Sequence, residues 1–355
     1  MPVSTELDPA LDTPLASGTG PVLPTAVRRT PPPIVTLTGM TVALGTVLAL
    51  LLAIFILPSL KSGPHDLPVG VVGSASAAER VEDVLATASP GSFTPTSYGS
   101  RVALTEAIAN RDVVAGFVVE TGGVQSLVAT AGSAAVAATA TAAGEAIGTA
   151  LDVEVSRVDV VPLPAKDPSG IGIGGLAFPL VFGGIVPVVA FRAAFARSDA
   201  WKLTGIGVFS VVGGMVVAGV LQYGFGSVEH AFWPVAAAMA LGIAAMASPL
   251  TGLQLAFGGK GFTIGAMTMM FLGNPFSGMA SGAAWLPAGL GTFGQVLPPG
   301  ATGTLVRSVA YFDGAGGLTA GLTLGAWVLV GVALHTVGSR RARATTTPAE
   351  QTVTA

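Results

Sequence analysis

Side chains able to do chemistry are sparse in this chain, and they gather in two short stretches. RAAFARSDAWK, Arg192–Lys202, sets Arg192, Arg197 and Lys202 among aromatic residues that end in Trp201. Two uses fit that mixture: orientation of the chain plus a Trp anchor at a membrane face, or a docking helix for a cytoplasmic partner. The second stretch, residues 284–317, reads AWLPAGLGTFGQVLPPGATGTLVRSVAYFDGAGG. It carries Arg307 and Asp313, which either pair across an amphipathic turn or each face water, and Trp285, Phe293, Tyr311 and Phe312, which suit headgroup level. Its bland reading is a short re-entrant or interfacial hairpin. Its functional reading is a lip along which an apolar substrate leaves.

Most other chemistry is excluded. The chain has no Cys, so disulfides, thiolate metal sites and Cys nucleophiles are out. No GxxxxGK[ST] occurs, so no nucleotide is held by a P-loop. GIGIGG at 170–175 imitates a dinucleotide fingerprint, but it opens an apolar helix after a Pro-rich boundary and reads as small residues for helix packing. GGKG at 258–261 reads as a turn. No basic patch is large enough for nucleic acid. The expectation is no catalytic residue, no cofactor and no metal in this chain.

The elements that must position these stretches are membrane helices. Mean hydropathy is +0.73, and 51% of the 355 residues are hydrophobic against 10% charged, where a soluble domain carries about 25% charge. Ile34–Leu57 is an uncharged run of 24 residues, about 36 Å of helix, enough to cross a ~30 Å hydrocarbon core. Arg28-Arg29 before it faintly resembles a twin-arginine signal, but the run exceeds the ~7–15 residues of a signal h-region, so a retained span is expected. Further spans are expected at 171–191, 203–223, 231–257, 262–283 and 318–337. Residues 1–33 and 338–355 read as cytoplasmic tails, the first of them disordered.

Between the first two spans, residues 60–170 hold 12 of the 19 acidic residues. Strands at Leu67–Gly73, Asp112–Glu120, Val124–Ala129 and Val153–Leu163 alternate with helices at Ala77–Ala88, Arg101–Asn110 and Ala134–Leu151, and SFTPTSY adds a short strand. That order predicts a small α/β domain. Ala134–Leu151 is apolar enough to be mistaken for a span, but it carries Glu145 and few large apolar residues. Nine of the 16 basic residues fall in the tails and alternate loops, whereas the other short loops hold only Arg307. The positive-inside rule then puts both termini in the cytoplasm and residues 60–170 outside. The fold class expected is an α-helical membrane protein of six spans, N-in and C-in, with an extracytoplasmic α/β domain inserted between spans one and two.

No titratable side chain lies well inside a span; His335 is near the cytoplasmic end of the last. A proton-coupled transporter usually keeps such a group at membrane depth, so a secondary transporter is disfavoured. Pro179, Pro187, Pro234, Pro249 and Pro275 interrupt or border spans, which suits a moving permease, although such residues are common in membrane helices.

Four segments carry a resemblance. LPVGVVG at 67–73, NRDVVAGFVV at 110–119, VDVVPLPAKDPSG at 158–170 and LPPGATGTLVRSVAYFDGAG at 297–316 resemble, in that order, ABC-2-type permeases of the YhgE/Pip-like group. The resemblance spans roughly residues 34–337. It implies a permease subunit in a bacterial plasma membrane, paired as a homodimer or heterodimer and driven by a separate cytoplasmic ATPase. By position, Arg192, Arg197, Trp201 and Lys202 would form the ATPase contact. The exported substrate would be apolar or amphiphilic. The alternative is a non-transporting envelope protein whose outer domain binds a ligand, a secreted protein or a phage.

Overall fold

The computed structural model describes residues 32–287 and 289–346. The expected disordered tail lies outside the described residues up to residue 31, as does the end of the C-terminal tail from 347. Among the described residues six helices are long and apolar enough to cross a membrane, Ala134–Leu151 among them and Phe232–Gly273 counted as one, and a five-stranded sheet accompanies them. The protein is membrane-embedded.

The first helix, α1 (Pro33–Lys61), is apolar around its whole circumference over Pro33–Pro58, the pattern of a helix solvated by lipid. The chain divides into two units within this helix, after Ala49. All that follows concerns the second.

The sheet comprises β1 (Leu67–Val72), β2 (Phe93–Ser97), β3 (Ala115–Glu120), β4 (Gly123–Val128) and β5 (Glu154–Asp159), in the order β2-β1-β3-β4-β5. β1 runs parallel to β2 and β3, β3 and β4 form an antiparallel hairpin, and β4 runs parallel to β5. Between the strands lie α2 (Ala75–Ala88), α3 (Arg101–Ala109) and α4 (Ala134–Leu151), each opened by a serine hydroxyl (Ser74, Ser100, Ser133) that accepts a first-turn amide. Period-2 alternation along the strands splits the core in two. Val69, Val71, Ala115 and Phe117 face α2 and α4, whereas Val118 and Leu127 face α3.

α4 satisfies the length and hydropathy of a membrane span, yet it is part of this layer. Val136, Ala137, Ala140, Ala143, Ile147 and Gly148 recur at helical spacing and are buried on the sheet, while Glu145 is exposed. Gly144 and Gly148 permit the approach: a Cβ on either would collide with Ser126 or Val155. Small residues thus serve helix-on-sheet packing here.

A one-turn helix, α5 (Ile171–Gly174), leads into α6 (Ala177–Ala194), then α7 (Asp199–Gly219), which ends in a π-turn at Val220–Phe225. The longest helical stretch, α8, covers Phe232–Thr268 and runs on as a π-turn to Gly273. It is not straight. Gly258 adopts φ 68° and ψ −156°, a conformation open essentially to glycine alone. Met246 and Met269 meet in one cluster with Val181, although 23 residues of straight helix would hold them about 35 Å apart. The chain therefore reverses at the GGKG turn. The returning arm, 259–273, is about 22 Å long. It stops at Gly273, short of the Ala283 expected for span five. Its end is followed by Pro275, which lacks the helical amide, and Gly273 abuts the Pro299 ring.

After a 3₁₀ turn at Ala283–Trp285 come α9 (Leu290–Val296), α10 (Pro298–Tyr311) and α11 (Leu318–Thr346). The last helix extends beyond the expected end of span six at Val337. It packs closely on α8: a Cβ on Gly252 would come within 2.7 Å of the Gly331 carbonyl, the small-residue contact that membrane helices use for close approach.

Candidate functional site

The stretch after Gly273 is a helix pair that enters between α8 and α11. Ala301 of α10 is buried against Ala245 and Leu324. The Trp327 indole donates to the Val296 carbonyl at 2.8 Å. Ala245 lies 13 residues into α8, about 20 Å along its axis. The pair therefore reaches deep among the helices before α10 climbs back towards the sheet.

At the top of α10 the hairpin and the sheet share a core. Phe312 is buried with Leu104, Ile108 and Leu127 on the α3 face of the sheet. Beneath it is a cavity of about 280 Å³ lined by Ile108, Arg111, Val113, Ser133, Val136, Gly282, Gln295, Thr304, Arg307 and Phe312, among others. Two arginines dominate its polar wall. Arg111 follows the C-terminus of α3 with φ 65°, a left-handed turn more usual for glycine at that place. Its Nη1 donates to Ser308 Oγ at 2.6 Å, and its guanidinium lies 5.1 Å above the Phe312 ring, within cation–π range. Gly316 leaves room for this path: a Cβ there would stand 3.2 Å from Arg111 Cδ. Arg307, on α10, is only 7% exposed, and its Nη2 donates to the Met279 carbonyl at 2.8 Å.

The electrostatics follow from burial. Burial lowers the Arg111 pKa. Burial, then the nearby Arg111 charge, bring Arg307 down to about 10, with Tyr311 acting weakly the other way; both guanidiniums stay charged at neutral pH. Tyr311 is pushed up to about 12 by burial and by the Asp167 charge, against the pull of Arg307. It is thus a neutral donor, giving its proton to the Ser227 carbonyl at 2.6 Å. Asp167 caps α5, its two carboxylate oxygens accepting from the Ile171 and Gly172 amides at 2.8 Å each. Burial alone would raise its pKa; the hydrogen bonds it accepts outweigh that and hold it low.

The other candidate stretch lies at the far ends of α6 and α7. Arg192 Nη1 donates to Gln254 Oε1 at 3.2 Å, and Lys202 is paired with Asp199 at 2.9 Å. Both line a small recess of about 80 Å³ with Phe191, Thr251 and the buried His335. Arg197 and Trp201 are exposed, and Trp201 stacks on Phe195 with ring centroids 6.0 Å apart. Ser198 caps α7 and fixes the corner.

Of the residues singled out in 284–317, Arg307 and Phe312 line the cavity, and Tyr311 borders Arg307 on a separate small pocket. Trp285, Phe293 and Asp313 do not line it. The Trp285 carbonyl accepts from Gly63 N at 3.0 Å, and Phe293 packs edge-on to Phe276. Asp313 is exposed in a left-handed turn, and among the described residues it makes no ion pair with Arg307. Arg111 is the cavity side chain that residue spacing misses: it lies 197 positions from the serine it binds. Among the described residues no cluster of three or more His, Asp or Glu could hold a metal. The chain matches no protein-family model and no curated protein.

Proposed function

We propose that the protein is the membrane subunit of an ABC-2-like exporter in a bacterial plasma membrane. It would work as a homodimer or heterodimer of permeases and move an amphiphilic substrate outward with a separate cytoplasmic ATPase. The observation that carries this reading is the cavity beneath Phe312, apolar over most of its wall and cationic at one end, at the top of a helix pair inserted deep among otherwise uncharged membrane helices. In this reading the chain has both termini inside, the sheet outside, and α9–α10 as a re-entrant pair whose tip comes near mid-membrane. Charge distribution supports it. Arg192, Arg197, Lys202, Lys260, Arg340 and Arg341 gather at one end of the helices, and the sheet lies at the other.

In operation the ATPase would press on the Phe195–Trp201 corner, where Arg197 and Trp201 present an exposed cation and an exposed ring. α7 and the α8 hairpin would shift on their glycine contacts, opening the way past α10 to the cavity. The hydrolysis belongs to the partner; nothing in this chain is assigned a catalytic role. Co-purification of the tagged protein from native membranes, with mass spectrometry and an ATPase assay, tests the proposal. A stoichiometric nucleotide-binding subunit with vanadate-sensitive hydrolysis is the expected result. A clean preparation without one favours the alternative, a non-transporting envelope protein that uses the same cavity to hold a ligand.

A further inference from the structure

The cavity wall contains two guanidinium groups and, among its described lining residues, no carboxylate. Arg307 uses one of its five donors on the Met279 carbonyl, and Arg111 one on Ser308. Neither forms an ion pair among the described residues, where the pairs are Arg157–Asp159 and Lys202–Asp199. The acids nearest in sequence, Asp112 and Asp313, are exposed. The remaining polar groups around the space are already engaged with one another. Gln295 donates to the Ser277 carbonyl at 3.2 Å and accepts from Thr304 at 2.6 Å, and Ser133 donates to the Ser281 carbonyl at 2.6 Å. Unused donor capacity is therefore concentrated on the two arginines.

Buried charges in proteins are normally paired, because an isolated ion in a poorly hydrated site is costly. Here two of one sign share a wall, and the described residues supply no counter-ion. The planar guanidinium fork is matched to carboxylate and phosphate oxygens. Most of the rest of the wall is apolar. We infer that this cavity binds the oxyanion head of an amphiphile between Arg111 and Arg307, with the start of its apolar chain against Ile108, Val113, Val136 and Phe312. The volume of about 280 Å³ is near the lower end for small-molecule sites, so the head and first methylenes fit inside and a longer chain trails out. Arg111 comes from the sheet side and Arg307 from the hairpin, so a bound oxyanion ties the two together. Calling this amphiphile the exported substrate rests on the permease reading above; its binding does not.

The test uses the full-length protein in nanodiscs of phosphatidylcholine at low salt, with decanoate, decyl phosphate, decanol and inorganic phosphate as probes. Decanoate and decyl phosphate are expected to bind at least tenfold more tightly than decanol. Arg111→Gln with Arg307→Gln should bring decanoate to the level of decanol, while Arg307→Lys retains part of the preference because the charge stays and the fork is lost. Equal affinity of the wild-type protein for decanoate and decanol would overturn the proposal, and that comparison needs no variant to fold. Inorganic phosphate binding as tightly as decyl phosphate would overturn the amphiphile. Repeating the decanoate titration in phosphatidylglycerol nanodiscs separates the sources: competition assigns the head to a bilayer lipid, undiminished binding to a free amphiphile. Intact discrimination without an ATPase partner would remove the permease and leave the site. A partner without discrimination would do the reverse.

Discussion

Arg307→Met is the perturbation whose outcome the structure constrains most. Burial, then the Arg111 charge, lower the Arg307 pKa to about 10, so holding this charge on the cavity wall costs on the order of 3 kcal/mol at ~1.4 kcal/mol per pH unit. Methionine keeps an unbranched stem of similar reach and removes that cost. Against the gain stands the loss of a charged hydrogen bond to the Met279 carbonyl, worth about 1.5–3 kcal/mol. The two nearly cancel, so the ligand-free variant should be between unchanged and about 1.5 kcal/mol more stable than the wild type. Thermal unfolding of the full-length protein in a neutral maltoside detergent, at pH 7 and low salt, reads this directly. The second half of the measurement adds decanoate. Mass action gives the wild type about 2.7 kcal/mol of stabilisation at a hundredfold excess over Kd, and the variant should lose most of it. If Arg307 is instead a strut whose charge is already satisfied, its removal should cost the ~3–5 kcal/mol typical of a broken buried pair. A ligand-free variant destabilised by that much would refute the reasoning.

Four further outcomes follow from the geometry. Tyr311 holds its proton to about 12 in the folded protein against ~10 unfolded, so its contribution is complete below pH 10 and is lost towards pH 12; relative to Tyr311→Phe, wild-type stability should fall ~1.4 kcal/mol per pH unit across that window. Because the chain has no Cys, single cysteines report sidedness cleanly: Glu145→Cys should react with an impermeant maleimide on intact spheroplasts, and Arg197→Cys only after permeabilisation. Gly144→Val should destabilise the sheet layer by roughly 1–3 kcal/mol through overpacking against Ser126, read as a lower unfolding midpoint with near-normal helix content. Arg197→Ala with Trp201→Ala should abolish pull-down of an ATPase partner while leaving stability within about 0.5 kcal/mol, since both side chains are exposed.

The sheet and the apolar helices were legible because each rests on a local period. Val69 and Val71 alternate towards one face, and the Glu120-to-Gly123 turn pairs β3 with β4 in the register a short hairpin demands. α4 was legible for a subtler reason: an exposed Glu145 opposite a face of small residues suits a sheet better than lipid. Legibility failed where apolar residues run on without regard to helix ends. Nothing periodic separates Phe271 from Phe276, so hydropathy carries the fifth span to Ala283. The helix in fact ends at Gly273, where its path meets Pro299 and the chain reaches Pro275.

The site was half legible for a different reason. Composition locates a cation but cannot say whether it faces water. Arg307 reads as a loop charge beside Asp313, and the expected choice was between pairing and solvation. Its guanidinium does neither. α10 is buried around most of its circumference, over Pro298–Gly303 and again at Val306, Arg307 and Ser308, so Arg307 is enclosed together with its apolar neighbour. Arg111 was hidden further still, because its position depends on Phe312 crossing into the core of the sheet. That crossing puts a ring under one guanidinium and draws Ser308 beside it. The two cations are thereby brought to one wall from segments nearly two hundred residues apart. Like charges do not come together unless the fold forces them or something of opposite sign rewards them. Here the apolar contact of Phe312 forces the approach, and only an anion in the cavity would offset the repulsion that remains.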